Sequence, residues 1–188
     1  MLKNKKIVIG MTGGIACYKI CSLISYLVRE GAKVKVIMTR NATKFITPLS
    51  LEVLSKNKVV IDMFEEDNFD YVGHIEYGQN IDLLVVAPAT ANILGKVANG
   101  IADDMLSSTI VAGTAPVLFV PAMNEHMYLN KIVQNNIKKL KEYGYLFLEP
   151  ESGLLACGVE GIGKLPNSKT IFDKINDILK EEQIWKYY

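Results

Sequence analysis

Lys6-Ile-Val-Ile-Gly-Met-Thr-Gly-Gly14 and, after a helical interval, Lys33-Val-Lys-Val-Ile-Met38 decide how this chain folds. The β-branched run 6–10 ends at a glycine and reads as a buried strand, with 11–14 as the turn that leaves it. Across 15–30 the apolar residues Ala16, Ile20, Leu23, Ile24 and Leu27 recur at helical spacing. Gly31 then stands where a helix C-terminus favours glycine, and 33–38 reads as a second strand. Strand, helix, strand is a βαβ unit. Outward from it the pattern repeats. Strands are expected over 59–61, 82–87, 117–120 and 145–148, and helices over 48–54, 91–98, 104–111, 125–143 and 169–180. Near-continuous apolar strands alternating with helices predict an α/β fold, a three-layer sandwich around a central parallel sheet covered on both faces. Residues 150–168 carry four glycines and little periodicity and are expected to form a loop, either functional or disordered.

Composition narrows the classes. The chain has 188 residues, 49% apolar and 22% charged, which excludes wholesale disorder. One domain over 1–180 is expected, with 181–188 as a C-terminal tail. Lys plus Arg is 21 against 20 acidic residues, so a net charge of +1 argues for neither nucleic-acid nor polybasic membrane binding. No apolar run approaches the ~20 residues that span a bilayer. The basic start resembles a signal peptide, but Gly10, Gly13 and Gly14 break its apolar run. Three scattered cysteines form no disulfide framework, and a cytoplasmic protein is expected.

In open α/β sheets ligands bind beyond the carboxyl ends of the strands, so the residues after each strand are the candidates. Gly10-Met-Thr-Gly-Gly14 matches neither GxGxxG nor a P-loop. It is either a tight βα turn or a phosphate cradle at a helix N-terminus. Thr39, Arg40 and Asn41 follow the second strand. Pro88-Ala-Thr-Ala-Asn92 offers small residues that let a flat ring approach, with Thr90 also a candidate helix cap. In Pro121-Ala-Met-Asn124, Asn124 is either a carboxylate or amide partner or a plain cap. The two histidines, His74 and His126, pair with no cysteine at ligand spacing, so no metal site is expected. Cys17 and Cys21 read as helix packing, whereas Cys157, in a glycine-rich stretch, is placed to reach a bound ligand.

Taken in order, Thr12-Gly-Gly-Ile-Ala16, His74-Ile, Pro88-Ala-Thr-Ala-Asn92, Asn99-Gly-Ile-Ala-Asp-Asp-Met-Leu106, Pro121-Ala-Met-Asn124 and Leu155-Ala-Cys-Gly158 resemble the flavin-dependent cysteine decarboxylase family. Within it they are most similar to the phosphopantothenoylcysteine decarboxylases of coenzyme A biosynthesis. The resemblance implies a Rossmann-like (flavodoxin-like) fold and FMN as cofactor, on Gly13, Gly14, Ile15, Thr39, Thr90, Ala91, Asn92, Ile93 and Ala122. It makes His74 the base and Cys157 the acid, with Asn124, Met127 and Tyr128 on the substrate, Tyr128 replacing the family's Trp. The implied reaction takes 4′-phosphopantothenoylcysteine to 4′-phosphopantetheine through a thioaldehyde and an ene-thiolate. It also implies a homotrimer or trimer-based assembly. The 188 residues leave no room for a ligase, so the resemblance implies a stand-alone decarboxylase, with the ligase encoded elsewhere or cut away from this sequence. The alternatives are a peptidyl-cysteine oxidative decarboxylase and, in a different class, a non-catalytic flavin-binding regulatory protein.

Overall fold

The computed structural model describes residues 2–63, 73–156 and 158–185, with side chains omitted for residues 73–74 and 181–185. Six parallel strands form one sheet: β1 (Lys6–Met11), β2 (Lys33–Met38), β3 (Val59–Val60), β4 (Leu83–Ala89), β5 (Val117–Pro121) and β6 (Leu146–Phe147), in the order β3-β2-β1-β4-β5-β6. Strand alternation divides the core in two. Ile7, Ile9 and Met11 of β1 face one cluster with α1 (Cys17–Arg29), α2 (Pro48–Ser55) and α8 (Ser168–Trp185). Val8 faces the other, with α4 (Ala91–Ala98), α5 (Met105–Ala112) and α7 (Lys131–Glu142). The alternation continues through Val34, Val36, Ile37 and Met38 of β2 and from Leu83 to Ala87 of β4, so the sheet is buried on both sides and the three-layer sandwich holds. Helix α1 sends Cys17, Ile20, Leu23, Ile24 and Leu27 inward, matching the spacing read from the sequence. Burying each of its Leu and Ile side chains contributes about 1.5–3 kcal/mol.

Four expectations are corrected. The helix expected over 125–143 is two helices, α6 (Glu125–Leu129) and α7, broken at Asn130. There the Asn130 side chain accepts from Ile132 N at 2.9 Å, and asparagine's competition with the helical backbone outweighs a periodicity that runs on unbroken. The expected loop over 150–168 is instead an antiparallel ribbon of β7 (Glu151–Leu154) and β8 (Glu160–Lys164). Strand β4 continues through Pro88, where its register with β5 shifts. Helix α8 runs to Trp185, five residues past its expected end. A further short helix, α3 (Gly73–Gln79), arises where no periodicity announced one.

Candidate active site

The strand order reverses direction between β1 and β4, and the crevice beyond their carboxyl ends is where doubly wound sheets bind ligands. Thr12, 2% exposed, fixes that crevice. Its hydroxyl donates to Pro88 O at 2.6 Å and accepts from Thr90 N at 3.0 Å, tying the end of β1 to the end of β4. Cys17 Sγ donates to Thr12 O, and burial pushes the thiol's pKa up, so Cys17 is a structural group. Burial likewise raises Cys21.

The two glycines of the β1 turn differ. A Cβ on Gly13 would stand 2.5 Å from Asn41 Cβ and 3.0 Å from the Asn41 carbonyl carbon, so this position holds β1 against the loop after β2. A Cβ on Gly14 would meet nothing closer than 3.8 Å, the Thr90 methyl. The packing of the fold leaves that space open.

Two cavities meet here. The first, about 490 Å³, is lined by Gly13, Gly14, Ile15, Ala122, Asn124 and Met127, by Leu154, Leu155 and Ala156 of the ribbon, and by Lys19 and Lys164. The second, about 570 Å³, is lined by Thr39, Arg40, Ala91, Asn92, Ile93, Lys96 and the Asp103–Asp104 pair, among others. Gly13, Thr90 and Met127 belong to both. No side chain caps the N-terminus of α1 at Ala16 or of α4 at Thr90, and both helices begin in this crevice. Uncapped N–H groups at the positive ends of helices suit an anion.

Charge is distributed unevenly between the cavities. In the second, Arg40 pairs with Asp62, and Lys96 bonds Asp103 at 2.6 Å and Asp104 at 2.7 Å. Asp104 also caps α5 through Ser107. Burial pushes Asp104 up, but hydrogen bonds from Lys96 and Ser107 outweigh it and hold the carboxyl below the usual range. Burial alone would lower Lys96, yet the same two carboxylates keep it above the ordinary lysine value. The Asp104-x-x-Ser107 spacing is the sequence signal for this cap, although the sequence reading assigned the Asn99–Leu106 motif no part in the site.

All the residues expected at a cofactor line one cavity or the other. Asn124 and Met127 line the first. Asn124 is also the cap of α6, its Oδ1 accepting from His126 N at 2.9 Å and Met127 N at 3.4 Å. Tyr128, expected at the substrate, is not among the residues that line these two cavities. One helical position beyond Met127, it turns into the core, 6% exposed, and donates to Glu149. Burial, together with the Glu149 carboxylate, pushes its phenol far up. The side chain of His74, in α3, lies outside the described residues, as does Cys157. The neighbours Leu155 and Ala156 line the first cavity. The ribbon is docked by Met123 N donating to Gly163 O at 3.0 Å and by Ile162 N donating to Glu125 at 3.1 Å. A Cβ on Gly163, at φ +134°, would fall 2.2 Å from Met123 O, so only glycine permits this approach. No cluster of metal-ligating side chains occurs among the described residues. No described helix is long and apolar enough to cross a membrane.

Comparison with known proteins agrees with this geometry. The Flavoprotein family model matches residues 1–180. A probable phosphopantothenoylcysteine decarboxylase of Streptococcus mutans is 43% identical over 178 residues, 94% of this chain and 99% of that protein. The coenzyme A biosynthesis bifunctional protein CoaBC of Bacillus subtilis is 50% identical over 171 residues, 91% of this chain and 42% of that protein. The chain thus spans less than half the length of that bifunctional relative. The crystal structure of the FMN-dependent cysteine decarboxylase SpaF superposes with a TM-score of 0.82 at 27% identity, covering 96% of this chain and 98% of that one. With its Rossmann-like sheet, a family match over nearly its whole length and a relative similar end to end, this chain belongs to the Flavoprotein family.

Proposed function

We propose that this protein is an FMN-dependent carbon–carbon lyase that decarboxylates 4′-phosphopantothenoylcysteine to 4′-phosphopantetheine in coenzyme A biosynthesis. The observation that carries the reading is the pair of cavities joined at Gly13, Thr90 and Met127, in a chain 43% identical to a probable decarboxylase of that substrate. Peptidyl-cysteine decarboxylation is the weaker reading, because the relative matched end to end, at 43% identity, carries the phosphopantothenoylcysteine name.

The residues present fit FMN. The open space at Gly14 admits a flat ring, and the uncapped start of α4 at Thr90 to Ile93, with Thr39 opposite, suits its phosphate. Ile15 and Ala122 would flank the ring. When bound, FMN supplies a reversible two-electron acceptor, without which a carboxylate beside an amide nitrogen has no electron sink as CO2 leaves. The chain's own groups do the rest. The His74 imidazole takes the substrate's thiol proton. Asn124, held at its oxygen by the α6 cap, offers its amide to the substrate carboxylate. The Cys157 thiol returns a proton to the ene-thiolate. Met127, Leu154 and Leu155 present apolar surface that keeps water from the reacting atoms. Tyr128 acts from beneath, bracing α6 through Glu149.

A trimer-based assembly is part of the reading. It is supported by Leu49 and Val53, which stand 67% and 70% exposed one turn apart on α2, an apolar face that another subunit would cover. A cytoplasmic site of action follows from the substrate. The test is the pair His74→Asn and His126→Asn. The first should abolish decarboxylation with FMN still bound, and the second should not. The reverse pattern would contradict the assignment.

A further inference from the structure

Among the described residues the first cavity is lined by two lysines and no acid. Lys19 and Lys164 form no ion pair among the described residues, whereas both cations of the second cavity, Arg40 and Lys96, are paired with aspartates. Most of the remaining lining is glycine, alanine, leucine and methionine. Lysines that line such a cavity without a paired carboxylate are suited to an anion that enters it.

The position of Lys19 sharpens the point. It lies in the first turn of α1, a helix with no acidic residue in that turn and no side-chain cap. A cation there opposes the positive end of the helix macrodipole. Two lysines and the positive end of a helix therefore converge on one acid-free cavity. Locally unfavourable choices of this kind mark ligand sites. Lys164 reaches the same cavity from β8. A Cβ on Gly153, across the ribbon, would come within 3.4 Å of Lys164 Nζ, so the glycine gives the lysine room to lie over the strand.

We infer that Lys19 and Lys164 form a subsite for the phosphate monoester of the substrate, at the end of the first cavity away from the reacting carbons. The inference rests on the decarboxylase reading and adds to it a basis for specificity. A phosphate monoester could also come from the flavin. The substrate is the better source because the residues suited to the cofactor phosphate, Thr39 and Ala91 to Ile93, line the second cavity, and neither lysine does. Lysines bind phosphate as point charges, so the subsite should recognise charge more than shape and weaken with salt.

The test is equilibrium binding to the FMN-loaded full chain, with 4′-phosphopantothenate and pantothenate as probes that lack the thiol and cannot turn over. The phosphorylated probe should bind at least about tenfold tighter, equivalent to about 1.4 kcal/mol. The preference should shrink in Lys19→Met and in Lys164→Met, vanish in the double variant and survive in Lys164→Arg, with bound FMN unchanged throughout. Equal binding of the two probes by the unaltered protein would overturn the inference without recourse to any variant. So would variants that keep the preference but release FMN, since the lysines would then serve the cofactor. If the protein prefers the phosphorylated probe but does not decarboxylate 4′-phosphopantothenoylcysteine, the decarboxylase reading fails and the subsite stands. If it decarboxylates phosphorylated and unphosphorylated substrates equally well, the reading stands and the subsite fails.

Discussion

In Gly14→Ala the added methyl would meet only the Thr90 methyl at 3.8 Å and Pro88 Cγ at 3.9 Å, both ordinary contacts. Gly14 does not occupy the left-handed region, so alanine adds no backbone strain there. The cofactor-free variant should therefore fold as well as the parent, or gain about 0.4–1 kcal/mol from a stiffer unfolded chain. What it should lose is flavin, because the methyl fills the space reserved for the ring. A ligand at a hundred times its dissociation constant stabilises a protein by about 2.7 kcal/mol. For a chain of this size that raises Tm by roughly 5–10 °C. The assay is thermal unfolding with and without FMN, beside the flavin absorbance of the desalted protein. The parent should show the FMN-dependent rise and Gly14→Ala almost none, with equal or higher Tm in the absence of FMN. Gly13→Ala is the contrast: overlap at 2.5 Å with Asn41 Cβ should cost about 1–3 kcal/mol with or without cofactor. An unaltered FMN-dependent rise in Gly14→Ala, or a collapse of its cofactor-free fold, would refute the reasoning.

Asn124→Asp should leave the fold intact, since aspartate caps a helix as well as asparagine does. Turnover should fall steeply, because a new carboxylate would face the substrate's own, a juxtaposition that costs several kcal/mol; normal kinetics would reduce Asn124 to a cap. Cys157→Ser should still release CO2 but stall before protonation, leaving an ene-thiol two hydrogens lighter than 4′-phosphopantetheine in anaerobic single-turnover mass spectra. Full reduction would remove Cys157 from the mechanism. Asp104, whose carboxyl is held down by Lys96 and Ser107, stabilises the fold fully above the unfolded-state pKa of about 3.9. That contribution is lost as pH falls through the depressed folded value. Asp104→Asn keeps the cap and drops the ion pair, so its Tm should be lower at neutral pH and its acid limb shallower. Parallel curves between pH 7 and pH 3 would contradict this.

The sheet was legible because its strands are short apolar runs separated by helical periodicity, and a strand buried on both faces needs no finer pattern. The same runs located the site, since the crevice lies where β1, β2, β4 and β5 end. What stayed hidden depends on side chains acting against local periodicity. Asn130 interrupts a stretch whose apolar spacing would support one long helix. The ribbon hides because Gly153, Gly161 and Gly163 erase the alternation that marks a strand, and they are there to let Lys164, Glu125 and Met123 come close. Tyr128 and Met127 are adjacent in sequence, and only the helix of α6 tells which faces the cavity. That Lys19 and Lys164 pair with no acid among the described residues is likewise a property of three-dimensional neighbours.

The central claim is that the paired cavities carry out a non-oxidative decarboxylation of a phosphorylated cysteine conjugate. The most direct measurement is the mass spectrum of the thiol product after anaerobic incubation of FMN-loaded protein with 4′-phosphopantothenoylcysteine. The account predicts one product, 4′-phosphopantetheine, lighter than the substrate by one carbon dioxide, with the flavin back in its oxidised form after turnover. Unchanged substrate, or accumulation of the oxidised ene-thiol as the final product of the unaltered protein, would contradict it.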